Sequence, residues 1–588
     1  MYKDRSEHKI KKQKWTSSIA LALILALFIG GSATNWVIKQ QMFEFESPME
    51  NQLTEGNKPI EENQPIEESI VQHIIKKIEK QKAVDEALQA EVESGSYTIE
   101  SPLIVPDPYD ESPLTALILF ETVEPSRIEI TILDENGSPN ITHTFNNVDT
   151  QHSIPVYGLF PGQQNMVAIK QISEKGAVVE ENILQIQTEP LPEWVENYIV
   201  LTETYQDDYE DGLNYIVQDL KFAFDRDGIP RWFLSDVTRQ GIPASLNLTS
   251  SHWLICYGSY GEGDVVICEM DLLGKIYKTY FSPYGIHHDL ITMQNGNILT
   301  TGSRGKTTMD LIVEIEAKTG EILYTLDLKT VLQRTRFGSE QDWAHINSIA
   351  WDERDGTIIL SSNTQCTVAK LTWPEGEIKW LLSDPIEYMP RLQQYLLTPT
   401  GDNFEYSYNQ HHATILPDYD NNPDTIDIFL FDNGFTRFVK GISFAKAAML
   451  PEEIMAYDNY SRLVHYRINE KTMTVEQIWQ YGKERGEELF SISTGSAQLL
   501  TNNNLFGCFN RQNDKTEFGQ IMSTNLVEVD YDGNLIWDAE MFSRDERGRV
   551  ACPYRAFRYP IYFPDDKEHD IYIEAQNLIP PEVLAQNS

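Results

Sequence analysis

The sequence predicts an all-β protein: a six-bladed β-propeller preceded by a small N-terminal β-sandwich-like domain, with an N-terminal transmembrane helix and a helical stalk. Three observations carry this. Beyond residue 97 the chain is made of short apolar runs separated by turn-forming residues. A turn-plus-strand unit recurs six times at a spacing expected of propeller blades. And 588 residues, 41% of them hydrophobic, are enough for more than one core.

Residues 1–14 form a basic segment, read as cytoplasmic, and Ile19 to Ile38 is a run without a charged side chain until Lys39. About 20 apolar residues span a bilayer as a helix, and preceding Lys and Arg place the N-terminus inside. Residues 15–38 are therefore expected to anchor the chain in the cell membrane, single-pass, with the remainder outside. Cleavage after Gly31-Ser32-Ala33, releasing a secreted protein, is the competing expectation. Residues 39–96 read as an acidic linker followed by a stalk helix, because Ile66, Ile70, Ile74 and Ile78 recur at helical spacing. Such a helix permits a homodimer.

Residues 97–192 are assigned to the N-terminal β domain. TALILFETV and RIEITIL alternate apolar and polar positions, and ENGS supplies an Asn-Gly turn. Residues 193–588 are assigned to the propeller. The recurring unit reads DRDGIPRWFL, DLLGKIYKTY, AKTGEILYTL, WPEGEIKWLL, NEKTMTVEQIWQY and DYDGNLIWDA. Its glycines are Gly228, Gly274, Gly320, Gly376 and Gly533, with Met473 in the equivalent place of the fifth copy, separated by 46, 46, 56, 97 and 60 residues. The long interval places an insertion at 384–410, just before a His-His pair.

The formal net charge of −42 excludes a nucleic-acid partner, since phosphate contacts need an excess of Lys and Arg. Cys256, Cys268, Cys366, Cys508 and Cys552 show no CxxC or metal-ligand spacing, and no essential disulfide is expected. A zinc site finds little support, as HExxH is absent. GSRGKTT (302–308) has Thr300 where the first glycine of a phosphate-binding loop belongs. Neither zinc nor a bound nucleotide is expected from these stretches.

A second repeated strand begins in polar groups: HHDLITMQNGNILTTG, HINSIAWDERDGTIILSSN, HHATILPDYDNNPDTIDIFLFDNG and STGSAQLLTNNNLFG. These starts carry His288; His345 and Asn347; His411; and Thr494. Equivalent strands of successive blades surround one axis, so the three imidazoles are expected to converge there. Histidine suits attack or proton transfer near neutrality. The alternative is that these residues bond backbone carbonyls at blade junctions.

In DPYDESPLTAL, HHDLITMQNGNIL, DWAHINSIAWDERDGTIILSS, SYNQHHATIL, IFLFDNG, YSRLVHYRINE, QIWQYGKERG and YRA, spread over 107–556, the chain resembles the PAPS-independent arylsulfate sulfotransferases of bacteria. The resemblance implies ping-pong transfer of a sulfuryl group from an aryl sulfate to a phenol, without metal or cofactor. It implies that His411 is the nucleophile. His288, His345 and Asn347 would bind the sulfuryl oxygens, Thr494 would stand alongside, and His287 and His412 would be bystanders. Asn363 stands where the family carries an arginine; Arg555 and Arg304 are the candidate replacements. Two other functions stay open: a noncatalytic surface propeller binding sulfated or phenolic ligands, and an aryl sulfate hydrolase.

Overall fold

A computed structural model describes residues 69–587, apart from 134–139, 218–220, 236–247, 250–251, 259–262, 305–306, 333–341, 387, 440–456, 517–518 and 544–552. The segment expected to cross the membrane, 15–38, and the acidic linker lie outside the described residues. Among the described residues no helix is long and apolar enough to cross a membrane.

The first described element, α1 (Ile70–Ser94), is capped by Ser69, whose hydroxyl accepts from the Gln72 amide at 3.2 Å. Its buried positions are Val71, Ile74, Lys77, Gln81, Asp85 and Leu88, one face at spacings of three and four. Three of the six are polar, and each finds a partner beyond the helix. Lys77 Nζ reaches Glu111 at 2.6 Å. Gln81 donates to the Gly274 carbonyl at 2.6 Å and accepts from the Ile276 amide at 3.0 Å. Asp85 meets Lys275 Nζ at 2.9 Å and the Tyr109 hydroxyl at 2.7 Å. The expectation of a free stalk is therefore corrected. Val71, Ile74 and Leu88 share one apolar core with the sheets that follow, and the buried polar face fixes the helix in place.

Residues 103–187 form a six-stranded sheet around one long strand, Thr115–Leu133. Its first half pairs with Leu103–Pro106 and Asp149–Tyr157, its second with Ile141–Thr144 and Gln164–Ser173. Alternation of apolar and polar residues along Arg127–Leu133 buries Ile128, Ile130 and Ile132 on one face.

The remaining strands make six sheets of four or five strands in a mostly β, propeller-like fold. Sheet I holds Leu213–Val217, Lys221–Phe224 and Pro230–Phe233. Its missing first strand comes from the far end of the chain, Arg555–Tyr559, which pairs antiparallel with Leu213–Val217. The first strands of sheets III to VI are Leu290–Thr292, Ile346–Asp352, His411–Ile415 and Ser496–Leu499. Taken in this order and continued to Arg555–Tyr559, each of these strands lies against the next.

The six recurring turns each join the third and fourth strands of one sheet. Five of the six pairings shift register beside the turn, the bulged hairpin in which one residue takes a left-handed backbone; the hairpin that carries Met473 shifts farther along, between His465 and Tyr466. Gly228, Gly274, Gly320, Gly376 and Gly533 have φ between +75° and +90°, and Met473 has φ +56°. The period read in the sequence is thus a backbone requirement that glycine meets with least strain. Surroundings set the cost of replacing it. A Cβ at Gly320 meets the Leu578 carbonyl oxygen at 2.7 Å, whereas one at Gly533 meets nothing within 4 Å. Gly533→Ala is expected to lower the unfolding free energy by about 1–2 kcal/mol, the strain alone. Gly320→Ala should lower it by about 1–3 kcal/mol more, measured by urea titration; equal losses would contradict the packing argument.

Candidate active site

Five sheets bring a polar or aromatic group to the start of their first strand: His288 in sheet III, His345 in IV, His411 in V, Thr494 in VI and Tyr554 in I. The imidazole rings of His288 and His345 are 5.0 Å apart. Tyr554 stacks on His288 at 4.7 Å and 15°, and stands edge-on to His411 at 5.9 Å and 74°. The three histidines singled out in the sequence therefore share one cluster. All three are buried.

The backbone there is unusual. His288, His345, Asn409, His412 and Thr494 all have positive φ, between +46° and +64°. A left-handed backbone at a non-glycine residue costs of order 1–3 kcal/mol and persists where surroundings enforce it, commonly at functional sites.

His411 is oriented by Asn433. The Asn433 amide nitrogen donates to the carbonyls of Ser491 at 3.0 Å and Thr494 at 2.8 Å, so its oxygen faces His411 Nδ1 at 2.8 Å. The hydrogen-bond network assigns this amide orientation. Nδ1 then carries the proton and donates, leaving the Nε2 lone pair unprotonated. Burial first, and the neighbouring His345 and Arg555 after it, lower the His411 pKa to about 3 against the Asn433 bond. The ring is held neutral. Asn433 follows IFLFD in the sequence, where its side chain was not singled out as a partner of a histidine 22 positions earlier.

The other expected residues have definite partners. His345 Nδ1 donates to Asp342 Oδ2 at 2.9 Å. Asn347 donates to the Gln410 carbonyl at 2.8 Å. Thr494 Oγ1 accepts from Asn510 Nδ2 at 2.7 Å. Asn363 donates to the Asn409 carbonyl at 3.1 Å, and Asn409 returns a bond to the Asn363 carbonyl at 3.3 Å. That reciprocal clamp sits two residues before His411. Arg555, expected to contact substrate, is paired with Asp289 at 3.0 Å and also donates to the Asn347 carbonyl. The side chain of Arg304 lies outside the described residues. His412 Nδ1 donates to the Ala497 carbonyl at 2.8 Å, and His287 is fully buried beside His288.

Two of the other site chemistries meet specific obstacles among the described residues. Ile298–Arg304 and Thr307–Ile315 are paired strands, so GSRGKTT does not precede the helix a phosphate-binding loop requires. Among the described residues, the acidic groups close enough to share a cation are Asp352, Asp355 and Glu470. Lys370 Nζ already sits among them, at 2.8, 3.0 and 2.7 Å. Cys256, Cys268, Cys366 and Cys508 are buried thiols.

Burial also depresses His288 and His412, and lowers His287 to about 3. For these histidines the unfolded chain takes up protons below about pH 6.5 while the folded chain does not. Their contribution to stability is complete above about 6.5 and is lost as pH falls toward about 3. At about pH 5 the loss is up to about 2 kcal/mol for each histidine that stays neutral. Urea unfolding at the two pH values is expected to show this fall. His287→Leu should flatten the slope; an unchanged slope would contradict the assignment.

Residues 103–189 match the arylsulfotransferase Ig-like domain, and residues 186–547 match the arylsulfotransferase (ASST) family. The arylsulfate sulfotransferase AssT of Lelliottia amnigena is 24% identical over 550 residues, covering 73% of this chain and 88% of that protein. The arylsulfate sulfotransferase AssT of Escherichia coli O6:H1 is 22% identical over 561 residues, again covering 73% of this chain and 88% of its own length.

Proposed function

The chain belongs to the arylsulfotransferase family, and from that premise we propose that it moves a sulfuryl group from an aryl sulfate to a phenol through a sulfohistidine at His411. The single observation that carries this reading is the neutral His411 ring with its Nδ1–H tied to Asn433, beside two further imidazoles from different sheets. The six sheets are read as the blades of a propeller whose axis this cluster occupies.

In the first half-reaction the lone pair on His411 Nε2 attacks sulfur in line with the aryl oxygen. The N–S bond forms as the S–O(aryl) bond breaks, and the electron pair leaves with the phenolate. A neutral imidazole adds no negative charge to an already anionic ester. A phenol has a pKa of about 10, so the departing oxygen takes a proton with benefit. His345, whose ring is held by the Asp342 carboxylate, suits that donation. His288, His345, Asn347 and Thr494 are assigned to the sulfuryl oxygens; donors aimed at developing charge contribute roughly 3–4 kcal/mol each. An acceptor phenol then loses its proton and takes the SO3 from nitrogen, a ping-pong sequence.

The test incubates the protein with an aryl sulfate, with and without a second phenol. Phenol-dependent release together with a sulfated acceptor supports the transferase. Acceptor-independent release indicates a hydrolase, and absence of release indicates a binding propeller. Asn433→Ala should lower kcat about a hundredfold by freeing the His411 tautomer, with little change in KM; unaltered kcat would remove Asn433 from that role. The placement we propose is a membrane anchor at 15–38 with the β domains outside, read from the basic N-terminus and the apolar run that follows.

A further inference from the structure

We propose that sheet IV, rather than the sheet that carries it, sets the position of His411, and that Asn363, Asn409 and Gln410 are positioning residues of the transfer step. The proposal rests on the transferase reading and concerns how that same cluster is held.

Pairing within sheet V is interrupted where the strand His411–Ile415 starts. His411 lies opposite Phe431, but the register shifts before Thr414, so a bulge directly follows the histidine. Asn409 and His412, on either side, have a left-handed backbone at φ +54° and +50°. The next amide, Ala413, donates to Ser348 Oγ of sheet IV at 2.9 Å.

Two buried amides immediately before the histidine, Asn409 and Gln410, make the main grip on sheet IV. Gln410 Nε2 faces three oxygens there: the Ser361 hydroxyl at 3.3 Å, and the Ser362 and Thr367 carbonyls, both at 3.1 Å. The Gln410 carbonyl accepts from Asn347 Nδ2 at 2.8 Å. Asn409 donates its backbone N–H to Cys366 Sγ at 3.4 Å. Its side-chain oxygen accepts from the Thr436 amide at 3.1 Å and hydroxyl at 2.8 Å. The reciprocal pair with Asn363 completes the hold. Ser361, Ser362, Asn363, Cys366 and Thr367 belong to one hairpin, which joins Thr357–Ser362 to Thr367–Thr372. A buried polar network satisfied in this way specifies one arrangement of the chain.

Asn363 also reaches the other side of the cluster. Its backbone N–H donates to the His345 carbonyl at 3.1 Å. One residue therefore contacts both the segment that delivers His411 and the backbone of His345, whose ring is assigned to proton donation. The spacing of nucleophile and acid is set through these hydrogen bonds across two sheets. Asn433 orients the His411 ring, and the brace on sheet IV places the backbone from which that ring hangs. Reacting atoms must stand about 3–3.5 Å apart, and a misplacement of about 1 Å costs on the order of a hundredfold in rate.

The experiment is steady-state kinetics on the full chain, comparing Asn363→Ala and Gln410→Met with Gly320→Ala. The last is an outer-hairpin change that lowers stability without touching the brace. Asn363→Ala should lower kcat about tenfold and Gln410→Met about a hundredfold, with KM within about twofold of wild type. Gly320→Ala should keep the wild-type kcat at a temperature where thermal melting shows every variant folded. If Gln410→Met does not fold, Asn363→Ala, the smaller change, decides alone. A raised KM with kcat unchanged would make Asn363 a substrate contact and overturn the proposal. Unaltered kcat in a folded brace variant, or an equal fall in Gly320→Ala, would overturn it too. With wild-type turnover intact, those results sink the proposal alone. Absence of wild-type turnover sinks the transferase reading, and the proposal with it.

Discussion

His411→Ala is expected to lower turnover of aryl sulfates by about 10⁴-fold or more, while the protein stays folded. A missing nucleophile removes the covalent route entirely, and losses of that size or larger are usual when a nucleophile is deleted. The structural penalty is small by comparison. The substitution removes one hydrogen bond, leaving the Asn433 oxygen without its 2.8 Å partner, which costs about 1–3 kcal/mol. The remaining bonds of Asn433, to Ser491 and Thr494, keep the segment in place. Steady-state assay and thermal melting read the two effects separately. Turnover within tenfold of wild type would exclude His411 as the nucleophile.

Arg555→Ala is expected to have the largest effect on stability. The substitution leaves Asp289 buried and charged, and breaking one side of a buried ion pair typically costs 3–5 kcal/mol. Arg555 ties together three sheets: its own, sheet III through Asp289, and sheet IV through the Asn347 carbonyl. Turnover should fall as well, because Asn347 and His288 flank these contacts. Pairing the change with Asp289→Asn removes the orphaned charge and should recover part of the loss, a coupling read from a double-mutant cycle in urea. A loss below about 1 kcal/mol for Arg555→Ala would contradict the pairing.

Much of the fold could be read from residue types because the backbone imposes them. A left-handed turn residue before each fourth strand favours glycine, so the repeat appears in the sequence; even Met473 was placed correctly by its spacing. The histidines were legible for a related reason, as they open strands of recognisable pattern. What escaped depends on contacts distant in sequence. Asn433 reaches His411 across a strand pair, and Tyr554 arrives only because Arg555–Tyr559 completes a sheet begun at Leu213–Val217. The docking of α1 was hidden too. Spacings of three and four describe a free amphipathic helix and a packed one equally well, and the partners of Lys77, Gln81 and Asp85 lie as far away as Ile276. Arg555 looked like an available cation, since its carboxylate partner comes from another sheet.

The most direct measurement of the central claim is peptide mass analysis of protein mixed with an aryl sulfate and quenched in alkali, without any acceptor. The account predicts one added SO3, located on the peptide carrying His411 and discharged when a phenol is supplied. The adduct should be absent from His411→Ala. Acceptor sulfation proceeding with no adduct at any stage, or an adduct on another residue, would contradict it.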